Sequence, residues 1–251
     1  MEAPFYIISD NHFMMEDNSK ERNRRNKLFS ILEVIKKQGK GTLIIGGDFF
    51  DFWFETKYVI PNGYKNLIEQ LKELSLSGIK IHYLAGNHDY WDFGYLEKTI
   101  GLTFHKGDLN FQFNNKNILI THGDGLLKAD YGYKILKKII RHPIFINFFK
   151  LIPAKISFKL ANKISRSSSE YNHNDKFIDV IMHDIYNYAM KQWKQNIDIV
   201  MVGHYHQQKI VNDDMGTLIF LGDWLTKFSV TTLNVDEIWQ GNWEEFIKKL
   251  A

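Results

Sequence analysis

The 251-residue sequence contains no cysteine. That excludes a disulfide framework and any thiolate metal site, and it fits a reducing compartment without requiring one. Proline is scarce, with 4 residues, in a composition otherwise ordinary for a soluble globular protein, 44% hydrophobic and 24% charged. No apolar run approaches the roughly 20 residues that span a bilayer, and no export signal is legible, because a strand begins near Phe5 and reaches Asp10 within a few residues. The expectation is a soluble or, at most, peripheral protein. A strong charge of one sign is missing too. The net charge of +3 is too small to argue for a nucleic-acid partner. Aromatic residues, by contrast, reach 15%, a hint of apolar surface that binds something.

What the chain does have is five short polar clusters, each directly after an apolar, strand-forming run. They are Asp10-Asn11-His12 after FYIIS, Gly47-Asp48-Phe49-Phe50-Asp51 after TLIIG, and Gly86-Asn87-His88-Asp89 after IKIHYLA. The others are His122-Gly123-Asp124 after NILIT and Gly203-His204-Tyr205-His206 after IDIVMV. Parallel strands of an α/β sheet deliver their carboxyl ends to one edge, where ligands bind. Asp, Asn and His at five such ends point to a metal site.

Between the clusters, Lys20–Lys37 reads as a helix with Leu28, Ile31, Leu32 and Ile35 on one face, and Gly63–Leu76 reads as another. This rhythm argues for a largely parallel sheet covered by helices. Leu102–Ile120 and Thr217–Trp239 look more hairpin-like, with turn residues such as Asn114-Asn115, and suggest a second, stacked sheet. No internal repeat or low-complexity segment interrupts them. From Leu126 to about Tyr171 the rhythm breaks into an apolar, helical and basic stretch. Between Leu126 and Lys163 nine Lys or Arg face one Asp, about +8. The expected division is a core of residues 1–125 and 172–251, with residues 126–171 inserted as a helical cap.

Carboxylate, amide and imidazole donors without sulfur suit hard or borderline divalent ions such as Mn²⁺. Two ions about 3.5–4 Å apart need a shared anionic ligand, and such a pair polarises a phosphoryl group and acidifies water. Each motif alone is more often a turn or a surface pair; all five in this order, each at a strand end, are not.

The combination resembles the calcineurin-like metallophosphoesterase superfamily, a four-layer αββα sandwich, and the resemblance covers nearly the whole chain. It implies one metal held by Asp10, His12, Asp48 and His206, and a second by Asp48, Asn87, His122 and His204, with Asp48 bridging. By the same resemblance His88 contacts the phosphate or protonates the leaving oxygen, while Asp51, Asp89 and Asp124 stand behind the ligands. GDFFDFWFE and the run after His122 are similar to the UDP-2,3-diacylglucosamine hydrolases of lipid A synthesis. That implies Asp130, Tyr133, Arg166 and Ser169 as groups gripping the phosphorylated, acylated glucosamine. His88 stands where those enzymes usually carry Arg, and Glu170 follows Ser169 where Lys is usual.

The cap agrees with this on its own terms. Its cations suit a pyrophosphate or anionic headgroups, and its Phe, Ile and Leu suit acyl chains or the interface. The implied partners are a UDP-linked acylated glucosamine lipid and the inner face of the cytoplasmic membrane, with no nucleic acid and no obligate protein partner. Rival readings are a phosphoesterase for another nucleotide diphosphate or soluble ester, and a non-catalytic scaffold on the same core. His82, His105, His142, His173 and His183 match no motif and read as structural or surface; Lys20–Lys27 reads as a solvated helix face. Trp224, in Gly222-Asp223-Trp224, reads equally as site rim or core.

Overall fold

The computed structural model describes residues 1–55, 62–149 and 175–250. The first sheet has strand order β11-β10-β1-β2-β3-β4, formed by β1 (Phe5–Ile8), β2 (Thr42–Ile45), β3 (Lys80–Leu84), β4 (Thr103–His105), β10 (Ser229–Leu233) and β11 (Ile238–Asn242). The second has order β5-β6-β7-β9-β8, formed by β5 (Leu109–Phe113), β6 (Lys116–Thr121), β7 (Ile199–Val202), β8 (Gln208–Asp213) and β9 (Gly216–Leu221). β1 to β4 run parallel, as do β6, β7 and β9.

Side-chain alternation along each strand builds the layers. Phe5 and Ile7 face the second sheet and pack with Ile44, Leu84, Ile118, Ile120, Met201 and Ile219. Tyr6 and Ile8 face the other way, into a cluster with Leu28, Ile31, Leu32 and Ile35 of α1 (Ser19–Gln38) and Leu67 and Leu71 of α2 (Lys65–Leu76). The second sheet's outer face packs on Ile181, Ile185 and Ala189 of α6 (Asp175–Trp193). Helices therefore cover both outer faces of two stacked sheets, the four-layer α/β sandwich expected from the sequence. Full burial of each such Leu or Ile stabilises by about 1.5–3 kcal/mol.

Local chemistry sets the helix ends. Asn18 accepts the Glu21 N–H at 2.9 Å at the start of α1, and Gly39, at φ 70°, turns the chain out of it. Two sequence expectations change. The late hairpin does not join the second sheet: β10 pairs antiparallel with β1, Phe5 opposite Leu233, and β11 follows it. Without β10, β1 would be an edge strand with four buried residues and unpaired backbone groups. Nor is Lys20–Lys27 simply solvated, because Glu21, Arg24 and Arg25 are buried. They extend the Leu28 stripe by one turn at i, i+3, i+4 and i+7 spacing.

α3 (Tyr95–Ile100) precedes β4, and after β6, α4 (Tyr131–Ile140) and α5 (Pro143–Phe149) rise beside the first sheet's loops. Phe149 meets Phe54 edge-on at 5.1 Å and Trp91 at 4.6 Å, and Trp91 Nε1 donates to the Ile140 carbonyl. Arg166, Ser169, Glu170 and His173 lie outside the described residues.

Candidate dimetal site

Parallel pairing in register puts the strand ends level. Ile8 lies opposite Ile45, Ile45 opposite Tyr83, and Thr121 opposite Val202. The residues that follow therefore converge on one edge, where both sheets end. There the side chains of Asp10, His12 and His206 form one cluster, and those of Asp48, His122 and His204 form another. A third grouping, His12, Asp48 and His88, shares members with both. Asp48 belongs to two of the three groupings, and His12 links the third to Asp10 and His206. Its Oδ2 lies 3.2 Å from His122 Nε2, 3.8 Å from His12 Nε2 and 4.0 Å from His88 Nε2. Asn87 joins through its Oδ1, 3.2 Å from His122 Nε2, and His206 Nε2 lies 3.5 Å from Asp10 Oδ1.

The backbone at these positions is unusual. Asp10, His12, Asp48, His204 and His206 all have positive φ, between 43° and 65°. Such conformations cost on the order of 1–3 kcal/mol each in a non-glycine residue and persist where function demands the side chain. Glycines stand where a side chain would collide. A Cβ on Gly86 would come within 2.0 Å of Asp48 Oδ1, and one on Gly47, at φ 101°, within 2.4 Å of His122 Nδ1.

Hydrogen bonds fix the ring orientations. Carbonyl oxygens only accept, so His122 Nδ1–H donates to Gly46 at 3.0 Å and His88 Nδ1–H to Asp51 at 2.6 Å, turning each Nε2 toward Asp48. Asp51 thus acts on His88 through its main-chain carbonyl. Asp89 accepts from Phe49 N at 2.8 Å, Gly86 N at 2.7 Å and the Tyr83 hydroxyl, tying two of the loops together. Asp124 accepts from Tyr133 at 2.8 Å, and the Tyr133 ring lies over His204. Asp130 sits at the start of α4 without capping it.

Burial resists ionisation of Asp48 and Asp10, but the surrounding imidazoles outweigh it. His122, His88 and His12 hold the Asp48 carboxyl well below the usual carboxylate range, and His206 and His122 lower that of Asp10. Burial and neighbouring imidazoles push His12 down to about 3 and His204 to about 4, so both keep a free lone pair near neutral pH. His122 is also opposed by burial, yet Asp48 lifts it to about 10. Burial and the charge of Asp48 raise Asp89 to about 6. Two buried carboxylates thus create a field that favours positive charge, for which protons and divalent cations compete. Oxygen and imidazole donors that converge on one shared carboxylate, with no sulfur, fit a pair of hard or borderline divalent ions.

Several supporting residues carried no motif. Arg24 reaches the carbonyls of Asn11 and His12, and Ser9 Oγ donates to Asp10 Oδ2 at 2.6 Å. Lys227 Nζ donates to the His206 carbonyl at 2.6 Å and pairs with Asp223. Trp224 is wholly buried, and its N–H donates to the Asp10 carbonyl. For Arg24 a signal existed, its place on the apolar stripe of α1. Ser9 adjoins the first cluster, and Trp224 reads from sequence as rim or core alike. The Lys227 bond to His206 and the Trp224 bond to Asp10 depend on contacts distant in sequence.

The profile of the calcineurin-like phosphoesterase family matches residues 3–208. A UDP-2,3-diacylglucosamine hydrolase of Porphyromonas gingivalis W83 is 28% identical over 242 residues, spanning 90% of this chain and 92% of that protein. One of Pseudomonas fluorescens SBW25 is 30% identical over 225 residues, 87% of this chain and 86% of that protein. Among solved structures, Yfce, a phosphoesterase from E. coli, matches with a TM-score of 0.50 at 14% identity, covering 97% of this chain and 94% of the other. That last likeness concerns the fold alone. With the profile spanning most of the chain and its motifs gathered around Asp48, the chain belongs to the calcineurin-like phosphoesterase family and is a metal-dependent hydrolase.

Proposed function

We propose that the protein hydrolyses the pyrophosphate of UDP-2,3-diacylglucosamine to UMP and 2,3-diacylglucosamine 1-phosphate, a step of lipid A synthesis, at the inner face of the cytoplasmic membrane. The observation that carries the reaction type is Asp48, one carboxylate shared by two clusters of metal-type donors. The names of the relatives support the substrate.

On this reading Asp10, His12, Asp48 and His206 hold one Mn²⁺, and Asp48, Asn87, His122 and His204 hold the other. Bound there, the ions supply Lewis acidity to the phosphoryl oxygens and lower the pKa of water. On this reading His88 is a substrate contact rather than a ligand, as the motif resemblance implies, with its Nε2 4.0 Å from Asp48. With its Nδ1 tied to Asp51, it offers Nε2 to the phosphoryl or leaving oxygen. Water attacks phosphorus, the P–O bond to the other phosphoryl group breaks, and the proton released is taken up by a carboxylate or imidazole of the site.

Residues 126–171 serve as the cap on this reading. Tyr131, Ile135, Leu136, Ile139, Ile144 and Phe148 are exposed on α4 and α5, among Lys128, Lys134 and Lys138. That mixture suits acyl chains beside an anionic membrane surface. Among the described residues no helix is long and apolar enough to cross a membrane. Tyr133 and Asp130, with Arg166 and Ser169, complete the sugar-phosphate contacts in this proposal.

The test is Mn²⁺-dependent hydrolysis of UDP-2,3-diacylglucosamine beside UDP-glucose. Release of UMP from the lipid substrate alone supports the proposal. Turnover confined to soluble esters would discard the lipid and keep the dimetal chemistry.

A further inference from the structure

Lys137 of α4 and Arg141, the residue that caps its C-terminal end, stand at i and i+4 spacing. Both end at Asp124 Oδ2, Lys137 Nζ at 2.8 Å and the Arg141 guanidinium at 3.0 Å. Among the described residues Asp124 is the one carboxylate in ion-pair range of either, so a positive charge is left over. The same guanidinium nitrogen of Arg141 donates to the Gly86 carbonyl at 3.2 Å, and the group lies 4.1 Å above the Tyr90 ring. Arg141 is therefore wedged between the loop of His122 and the loop of Asn87 and His88. Its other guanidinium N–H donors have no partner among the described residues, and the side chain is 18% exposed.

Holding α4 on Asp124 needs a single cation. A second one, planar, pre-oriented on an aromatic ring and with donors to spare, has the form of a bidentate oxyanion site. We propose that Arg141, with Lys137 beside it, binds the phosphoryl group that is not attacked in a diphosphate substrate, so that the cap helix selects two linked phosphoryl groups over one. This rests on the diphosphate reading above. Asp124 holds the guanidinium in place until the substrate arrives, and substrate oxygens then take up its free donors.

The experiment compares wild type, Arg141→Ala and Arg141→Lys in the full-length protein at fixed free Mn²⁺. Inhibition by methylenediphosphonate is measured against methylphosphonate, with bis(p-nitrophenyl) phosphate as the reporter substrate. KM and kcat are measured separately on UDP-2,3-diacylglucosamine. Arg141→Ala should weaken methylenediphosphonate at least tenfold more than methylphosphonate. KM for the UDP lipid should rise more than kcat falls, and Arg141→Lys should recover part of both. Equal weakening of both inhibitors, or none, overturns the proposal. So does an equal loss of kcat on both substrates with a lowered Tm, which marks a purely structural clamp. Should Arg141→Ala fail to fold, Arg141→Lys keeps the charge but loses the planar fork, and is judged by the same contrast. If wild type leaves the UDP lipid intact while the inhibitor contrast holds, the substrate reading falls and the diphosphate site stands.

Discussion

Arg24 and Trp224 hold each other across 200 residues of sequence: the Trp224 indole N–H donates to the Arg24 carbonyl at 3.1 Å, and Arg24 Nε donates to the Trp224 carbonyl at 3.4 Å. From this lock Arg24 extends to the carbonyls of Asn11 and His12, while the Trp224 N–H takes that of Asp10. The first motif is therefore gripped from α1 on one side and from the loop after β9 on the other. Left-handed backbone at Asp10 and His12 is kept in place by this pair of grips.

Replacing Arg24 by Met should cost about 3 kcal/mol of stability, because buried carbonyls and part of the buried Glu21 carboxylate lose their partner. Urea unfolding measures the cost, and titration with Mn²⁺ should show weaker uptake than in wild type. Unchanged affinity would mean that Arg24 supports the fold without positioning His12.

Asp48→Asn removes the charge shared by two of the three donor groupings while keeping the side chain's size. Turnover should fall about 1000-fold or more, a loss of several kcal/mol in transition-state stabilisation. Metal content, counted by elemental analysis, should drop below two per chain. Near-normal turnover would sink the bridging assignment.

His82 and His105 stack in the first sheet, with ring nitrogens 2.9 Å apart. Burial and the neighbouring His105 push His82 down to about 4. A depressed histidine favours the folded state fully above its unfolded pKa, near 6.5, and that contribution is lost as pH falls toward 4, where the unfolded chain binds the proton more readily. Tm should therefore decline from pH 6.5 to 4, and His82→Gln should flatten part of that decline. A parallel profile for the variant would remove His82 from the account.

Ile144 is 74% exposed and Phe148 65%. Changing both to Asp should leave far-UV circular dichroism and Tm near wild type, since neither supports the core. Co-sedimentation with vesicles containing anionic lipid should fall at least about tenfold, as two apolar anchors are lost. Sedimentation equal to wild type would count against the proposed membrane face.

The strand runs FYII, TLII and IVMV and the clusters after them were legible because fully buried parallel strands need unbroken apolar stretches, and because metal-type donors follow each of them directly. The pattern of α1 was legible as well, through its apolar period; that Glu21, Arg24 and Arg25 continue its buried face became clear only once partners such as the Gly63 and Asn11 carbonyls were in place. Sequence order could not reveal that β10 would close the first sheet, since its hairpin pattern suits either sheet and only β1's need for a second neighbour decides.

The sequence by itself determined which side chains would stand at the strand ends, since a strand's apolar run fixes where its polar turn begins. Only the tertiary structure decided that Asp48 would face two clusters, that Tyr133, Lys137 and Arg141 would meet at Asp124, and that Trp224 would close behind Asp10. Those relations hang on the register and stacking of two sheets, set by long-range pairing that local pattern does not encode.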